Sequence, residues 1–252
     1  MILRLMRFGL RAPALILLLA FGMATSFVLY PFLKQSWREK ITRCWSLLLM
    51  KVCGVQIVVE GQPILKGAVM WVANHVSWID IFILNSCRTT SFIAKSEIRK
   101  WPVIGWLVAS VGTIFIERGQ RHAIARVSKS ILDLFKQDAC VGLFPEGTTS
   151  DGMDMRSLHT SLFEPPLRAM VPIQPVALVF MLHGQRSGAM AFVGEQTLVN
   201  NIWHLLSSRG VLVYVRFLKP INRTGEPVEA TRTEIASEIR TAIIHELKKE
   251  LP

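Results

Sequence analysis

An uncharged apolar run near the amino terminus restricts what this chain can fold into more than any other feature. Residues 12–33, APALILLLAFGMATSFVLYPFL, contain no Asp, Glu, Lys or Arg. At 1.5 Å per residue a helix of this length reaches about 33 Å, which matches the hydrocarbon thickness of a bilayer. The run therefore predicts a membrane element, so that the rest of the chain folds beside a membrane surface.

Basic residues flank this run on both sides, so the positive-inside rule gives no orientation. They are Arg4, Arg7 and Arg11 before it, and Lys34, Arg38, Lys40 and Arg43 after it. Two arrangements stay open: a helix that enters the bilayer and returns, with both ends on the cytoplasmic face, and a single-pass anchor. A cleaved secretory signal ending near Gly22 and Ala24 is disfavoured, because the apolar run continues past that site.

The next segment has the pattern of an amphipathic helix. Trp37, Ile41, Trp45 and Leu48 recur at helical spacing, as in a helix that lies in the membrane interface. A core helix that follows a simple anchor is the alternative. We interpret residues 1–51 as a membrane anchor with an interfacial helix, and residues 52–252 as a catalytic domain.

The composition excludes several classes of protein. The 252 residues carry 29 Lys and Arg against 18 Asp and Glu, a net charge of +11, and 51% are hydrophobic, which excludes a disordered chain. A basic and apolar protein favours anionic membrane lipid as a partner over nucleic acid, for which there is no Lys/Arg tract or zinc-finger spacing. The four scattered cysteines indicate neither a disulfide framework nor a metal site.

From about residue 52 the pattern is that of an α/β domain. Short apolar runs predict strands at 55–60, 67–74, 112–117, 140–145, 171–180 and 211–218. Amphipathic patterns predict helices at 122–137 and 229–249. Continuous apolar strands separated by helices predict a mixed, mostly parallel sheet flanked by helices, behind the amino-terminal membrane helix.

One histidine is followed by an aspartate at a sequence spacing that allows the two side chains to pair. His75 follows the predicted strand at 67–74, and Asp80 comes five residues later. Positions five apart do not meet on one helix, so we expect His75 to precede a helix that Ser77 caps, with Asp80 at its third position. Asp80 would then bend back and orient the imidazole, which takes up a proton near neutral pH. The structural alternative is that Asp80 only caps the helix and His75 only ends the strand.

No partner nucleophile accompanies this pair in the sequence. There is no G-x-S-x-G elbow, HExxH helix or P-loop. A His–Asp pair without a protein nucleophile indicates general-base activation of a substrate hydroxyl. Because no acidic cluster for Mg²⁺ is present, acyl transfer is favoured over phosphoryl transfer, and no metal or cofactor is expected.

Two further segments place charged residues after predicted strands. In GTIFIER, Arg118 suits a bidentate grip on phosphate, and in FPEGTTS, Glu146 suits acceptor hydroxyls. Each is also compatible with an ordinary solvated loop charge.

The order HxxxxD, GxxFIxR, FPEGTxS and a proline-bearing strand from Val171 resembles the glycerolipid acyltransferase family, whose best-known members are 1-acylglycerol-3-phosphate acyltransferases. The resemblance spans about residues 65–180. It implies that a fatty acyl chain moves from acyl carrier protein or coenzyme A to a lysolipid hydroxyl, with catalysis on the cytoplasmic face of the membrane. His75 would be the base and Asp80 its partner. The implied substrate-binding residues are Asn74, Lys95, Arg118, Glu146, Gly147, Thr148 and Pro172, with Pro172 on the acyl side.

The resemblance leaves the acceptor open. Thr149 stands where phosphatidate-forming members usually carry arginine, and TTSDG with SLFEP resembles the branch that acylates lyso-ornithine lipid. We expect 1-acylglycerol-3-phosphate as the acceptor, with lyso-ornithine lipid as the alternative. Two other classes stay open: a non-catalytic lipid-binding protein, and a hydrolase in which His75 activates water.

Overall fold

The computed structural model describes residues 1–101, 104–110, 112–117, 121–222 and 228–249, and these form an α/β fold. The helices are α1 (Ile2–Ala24), α2 (Gln35–Cys53), α3 (Asp80–Cys87), α4 (Ile104–Ser110), α5 (Arg121–Phe135), α6 (Glu164–Arg168), α7 (Leu198–Ser207) and α8 (Val228–Lys248). The strands are β1 (Val55–Gly61), β2 (Val69–Ala73), β3 (Thr90–Lys95), β4 (Ile114–Ile116), β5 (Cys140–Leu143), β6 (Ile173–Leu182), β7 (Gln185–Arg186) and β8 (Val211–Phe217).

The strands form one sheet in the order β1-β8-β6-β2-β5-β3-β4, with β7 paired to β6. The strands β6, β2, β5, β3 and β4 run parallel to one another, as do β1 and β8. Only the pairs β6–β8 and β6–β7 among the described strands are antiparallel. The mixed, mostly parallel sheet predicted from the sequence is confirmed.

Strand β2 lies in the middle of the sheet and is buried along its whole length. Helices cover both of its faces, which is why VMWVA contains no polar residue. Trp71 points into the core formed with α2, α3 and α7, whereas Met70 packs in the opposite core with α5 and α8. A buried strand of this kind gives the residue that follows it a fixed position.

Helices α1 and α2 form a hairpin, joined by a π-helical turn at Thr25–Leu29 and a 3₁₀ turn at Tyr30–Phe32. Trp45 Nε1 donates to Leu18 O at 3.1 Å. A side chain at Gly22 would lie 2.7 Å from the same nitrogen, so glycine is needed at this crossing. Of the predicted interfacial face of α2, Trp37 and Leu48 are exposed, but Trp45 packs on α1.

Arginines at the start of α1 hold the hairpin on the domain. Arg11 donates to the carbonyls of Leu206 and Ser208 at 3.1 and 2.6 Å, and Arg7 donates to Ser207 O at 3.1 Å. Cationic donors at the carboxyl end of a helix are stabilising, because the last carbonyls have no partner within the helix. The predicted domain boundary, between residues 51 and 52, falls in the last turn of α2.

The four cysteines are unpaired in the structure, and three of them, Cys53, Cys87 and Cys140, are buried. Burial raises the pKa of the Cys140 thiol to about 12, so this residue is inert at neutral pH.

Candidate active site

The carboxyl ends of β2, β5 and β3 lie at one edge of the sheet, because these neighbouring strands are parallel. The loop 74–79 follows β2, and the loop that begins at Phe144 follows β5. Such an edge is where α/β sheets place their sites. The structure therefore brings His75 and Glu146 to the same place, although they are far apart in sequence.

His75 and Asp80 are directly hydrogen-bonded. Nδ1 of His75 lies 2.8 Å from Oδ2 of Asp80. The same carboxylate oxygen accepts the backbone N–H groups of Val76 and Ser77 at 2.7 and 2.9 Å, and Asp80 is fully buried. Two backbone donors thus fix the carboxylate, and the carboxylate in turn fixes the ring.

The helix start differs from the one predicted. Helix α3 begins at Asp80 itself, not at Ser77, and its N-cap, Ile79, makes no side-chain hydrogen bond. The Ser77 side chain does not cap the helix, because Asp80 reaches back to the loop amides and residues 78–79 form a turn. Of the predicted capping arrangement, the contact of the Asp80 carboxylate with the Ser77 N–H is present, and the capping bond from the Ser77 side chain is not.

The imidazole of His75 stacks on Phe144, with ring centroids 4.1 Å apart and an angle of 14° between the planes. Phe144 in turn stacks on Phe92 of β3, at 5.5 Å and 7°. The His75 side chain is 20% exposed, and within the described parts of the chain no hydrogen bond is made to Nε2. The ring is therefore packed on one side, held at Nδ1, and accessible at Nε2.

Glu146 joins the His75 loop to the segment after β5. Its Oε1 accepts from the His75 backbone N–H at 2.9 Å, and its Oε2 accepts from the Arg156 backbone N–H at 3.0 Å. Burial raises the pKa of this carboxyl group, while these two backbone hydrogen bonds oppose the rise. Both oxygens thus accept from the protein backbone, and Glu146 holds the His75 backbone in place. The sequence instead predicted a contact of Glu146 with acceptor hydroxyls.

Asn74 is also occupied by the backbone. Its Nδ2 donates to Leu178 O at 3.0 Å, and its Oδ1 accepts from Leu178 N at 2.8 Å. The side chain is fully buried and ties the end of β2 to β6. The sequence predicted a substrate contact for Asn74, but both of its polar atoms bind the backbone of Leu178.

The remaining predicted residues lie in different places. Gly147 has a φ of 68° in a turn whose N–H bonds Phe144 O, a conformation that favours glycine, and the half-buried Thr148 follows it at the same edge. Lys95 is half-buried at the end of β3, also at this edge. Arg118 lies outside the residues that the structure describes.

Pro172 lies at the opposite edge of the sheet. It precedes β6, and its carbonyl accepts from Met70 N at 3.0 Å, near the start of β2. Because β2 and β6 are parallel, this is the amino end of both strands, whereas His75 follows the carboxyl end. The structure therefore does not bring Pro172 next to His75, and its place on the acyl side stays a prediction.

A segment that the sequence analysis missed bridges the two active-site loops. It spans residues 187–197, between β7 and α7, and we call it the bridging segment. Phe192 N donates to Val76 O at 2.9 Å, and the Thr149 hydroxyl donates to Phe192 O. Its sequence, SGAMAFVGEQT, has no motif or periodicity that could have identified this contact.

Comparison with known proteins identifies the class of protein. The family model described as Acyltransferase matches residues 56–179. A lyso-ornithine lipid O-acyltransferase of Pseudomonas aeruginosa is 32% identical over 206 residues, which cover 82% of this chain and 78% of that protein. A 1-acyl-sn-glycerol-3-phosphate acyltransferase of Neisseria meningitidis is 30% identical over 178 residues, which cover 70% of each chain.

Among solved structures, the 1-acyl-sn-glycerophosphate acyltransferase PlsC of Thermotoga maritima superimposes with a TM-score of 0.68 and 20% identity. The match covers 100% of this chain and 97% of that one, which shows a common fold. The family model and the sequence relatives show that the protein is an enzyme that transfers acyl groups. The chain belongs to the acyltransferase family, which confirms the resemblance seen in the sequence.

Proposed function

We propose that this enzyme transfers a fatty acyl chain from a thioester to the hydroxyl of a lysolipid, with His75 as the general base. The observation that carries the proposal is the 2.8 Å contact between His75 Nδ1 and a buried Asp80 that two backbone amides hold in place. The carboxylate favours the tautomer with the proton on Nδ1, which leaves the lone pair of Nε2 facing the exposed side.

The reaction needs no covalent enzyme intermediate. As the acceptor oxygen attacks the thioester carbonyl carbon, Nε2 of His75 takes the hydroxyl proton, and Asp80 stabilises the imidazolium. The tetrahedral intermediate then expels the thiolate, which takes the proton from Nε2 as the carbon–sulfur bond breaks. The ester is formed and the histidine returns to its starting state. A thioester supplies the acyl group in activated form, so no further cofactor is invoked, and either acyl carrier protein or coenzyme A is compatible as the carrier.

Membership of the acyltransferase family favours this reaction over a non-catalytic lipid carrier. The hydrolase alternative differs only in the acceptor, since water would take the place of the lysolipid hydroxyl.

For the acceptor we propose lyso-ornithine lipid, with 1-acylglycerol-3-phosphate as the second candidate, which reverses the order inferred from the motifs. The Thr149 side chain is bonded to Phe192 O, so the position where phosphatidate-forming relatives usually carry arginine offers no cation. Ornithine brings an ammonium and a carboxyl group but no phosphate. The Pseudomonas aeruginosa and Brucella abortus relatives, both 32% identical, are named for this acceptor. The Neisseria relatives support the second candidate.

An acceptor panel tests this assignment. With one acyl thioester as donor, we expect kcat/KM to be at least about tenfold higher for lyso-ornithine lipid than for lysophosphatidate, because the Thr149 position offers a phosphate no cation, and one lost charge-assisted contact costs about 1.4 kcal/mol or more. The products are identified by mass spectrometry, with a reaction lacking acceptor as the control. A preference for lysophosphatidate would establish the second candidate, and release of free fatty acid without acceptor would establish a hydrolase.

We further propose that the α1–α2 hairpin enters the cytoplasmic leaflet and returns without crossing. The stretch from Ile2 to Phe32 is long and apolar enough to span a bilayer. However, Arg7 and Arg11 near its start bind α7, while α2 leads back into β1, so both ends of the hairpin lie at the catalytic domain. A crossing anchor would separate the two ends by the width of the bilayer. The net charge of +11 supports attraction to anionic lipid on the cytoplasmic face.

Vesicle binding tests the hairpin. Phe27 and Phe32, at the bend, are 75% and 88% exposed. Introducing Asp at both positions is expected to weaken binding to vesicles containing phosphatidylglycerol at least tenfold, because each phenyl ring contributes about 1.5–3 kcal/mol on burial. Met170→Asp is the matched control, since Met170 is 73% exposed in the turn before β6. Equal losses in both variants, or in neither, would contradict the proposal.

A further inference from the structure

Asn201 in α7 lies outside the residues that the family model matches, and it is only 2% exposed. Its Oδ1 accepts from Trp78 Nε1 at 2.8 Å. Its Nδ2 donates to Ala191 O at 3.1 Å and to Gln196 Oε1 at 3.0 Å. An indole nitrogen only donates and a backbone carbonyl only accepts, so these partners require a side chain that accepts at one atom and donates at the other. Asparagine meets this requirement, whereas aspartate and leucine do not.

The first partner, Trp78, belongs to the loop between His75 and Asp80. Its ring packs edge-on against Phe82 of α3, with centroids 6.1 Å apart and planes at 75°. The indole is therefore held at its nitrogen by Asn201 and at its ring by Phe82. A loop of four residues between the two catalytic side chains has little freedom once its central tryptophan is fixed.

The other partners of Asn201 lie in the bridging segment. Ala191 is directly followed by Phe192, whose N–H bonds Val76 O at 2.9 Å and whose carbonyl accepts from Thr149. The bridging segment therefore connects Asn201 to the loop after β5, in which Glu146 accepts from the His75 backbone N–H. The buried amide of Asn201 is therefore connected to the loop of the His75–Asp80 pair in two ways, through Trp78 and through the bridging segment.

We propose that Asn201 is a positioning residue for acyl transfer, which it supports by holding the 74–79 loop through Trp78 and the bridging segment. This rests on the proposed role of His75 as the base, since Asn201 contacts neither ring nor carboxylate of the pair. Small displacements of a catalytic group slow the chemical step strongly. Asn201 itself is 2% exposed and its amide binds protein groups, so it has little surface to offer a lysolipid. Loss of Asn201 should therefore act on kcat and leave KM in place.

A double-mutant cycle in the full-length enzyme tests the proposal. Asn201→Ala removes the amide, and Trp78→Phe removes the indole N–H while keeping an aromatic ring on Phe82. We expect each single variant to lower kcat at least tenfold, with the lysolipid KM within twofold of wild type. The double variant should be no slower than the slower single variant, because both changes break the same hydrogen bond. Asn200→Ala is the control, since Asn200 is the exposed neighbour on the same helix.

Amide hydrogen exchange gives a readout that does not depend on turnover. Peptides covering residues 74–80 should exchange faster in Asn201→Ala and in Trp78→Phe, while peptides from β2 and β6 stay protected. Unchanged kcat in both variants, losses that multiply in the double variant, or a rise in KM alone would overturn the proposal. If Asn201→Ala fails to fold, Trp78→Phe decides by the same criteria. Should His75→Ala retain turnover, the proposed base is wrong, but exchange still shows whether Asn201 restrains the loop.

Discussion

Replacing His75 with alanine is expected to lower the rate of acyl transfer at least about 10³-fold. The variant loses Nε2 of His75, the proposed acceptor of the hydroxyl proton, and general-base catalysis contributes about 10²–10⁴ in rate. The side chain is partly exposed and packs on Phe144 by one face, so the fold should persist. The measurement is initial rate with saturating thioester and lysolipid, alongside circular dichroism and vesicle binding, both of which should match wild type.

The matched control is His245→Ala on α8, whose side chain is 76% exposed. This variant should transfer acyl groups at the wild-type rate. Turnover close to wild type in His75→Ala would exclude His75 as the base, and the edge of the sheet would then need another proton acceptor.

Replacing Asp80 with asparagine is expected to lower kcat at least about 10²-fold, with a small effect on lysolipid KM. The substitution keeps the volume and one oxygen that accepts from Val76 and Ser77, but it removes the charge that stabilises the imidazolium. Asp80→Ala is less informative, because it also leaves two buried N–H groups unpaired at about 1–3 kcal/mol each.

Asp133→Asn provides the comparison, because Asp133 of α5 forms an exposed ion pair with Lys136, which follows the helix. Chemical denaturation of both variants separates stability from catalysis. If Asp80→Asn keeps more than half of the wild-type kcat, then Asp80 only shapes the loop, which is the structural alternative that the sequence left open.

The elements that could be predicted are those with a continuous apolar pattern. Strand β2 was predictable because helices cover both of its faces, and α5 because its apolar positions recur along one side. Strand β3 was not predicted, since TSFIAK alternates buried and half-buried residues directly after α3 with no turn residue between. The sequence does not predict helix α7, because two asparagines interrupt its apolar spacing. One of them, Asn201, is the buried residue that binds Trp78 and the bridging segment.

The site divides in the same way. The pairing of His75 with Asp80 follows from a short loop between a strand and a helix, so local spacing was enough to predict it. The contacts of Glu146 with His75 and of Asn74 with Leu178 join residues 71 and 104 positions apart. Which atoms meet there depends on how β2, β5 and β6 are ordered in the sheet, and a single sequence does not specify that order. The sequence alone therefore predicts substrate contacts for both residues, whereas in the structure both side chains bind the protein backbone.

Direct activation of the acceptor hydroxyl by His75 is tested most closely by the mass of the intact protein. Wild-type enzyme is mixed with a long-chain acyl thioester in the absence of lysolipid, quenched over a series of times, and weighed by mass spectrometry. If His75 acts directly, the protein stays unmodified and no free fatty acid forms, and acylated lipid appears in the first turnover after lysolipid is added. An acyl–protein adduct that forms and decays at the rate of turnover would contradict direct activation.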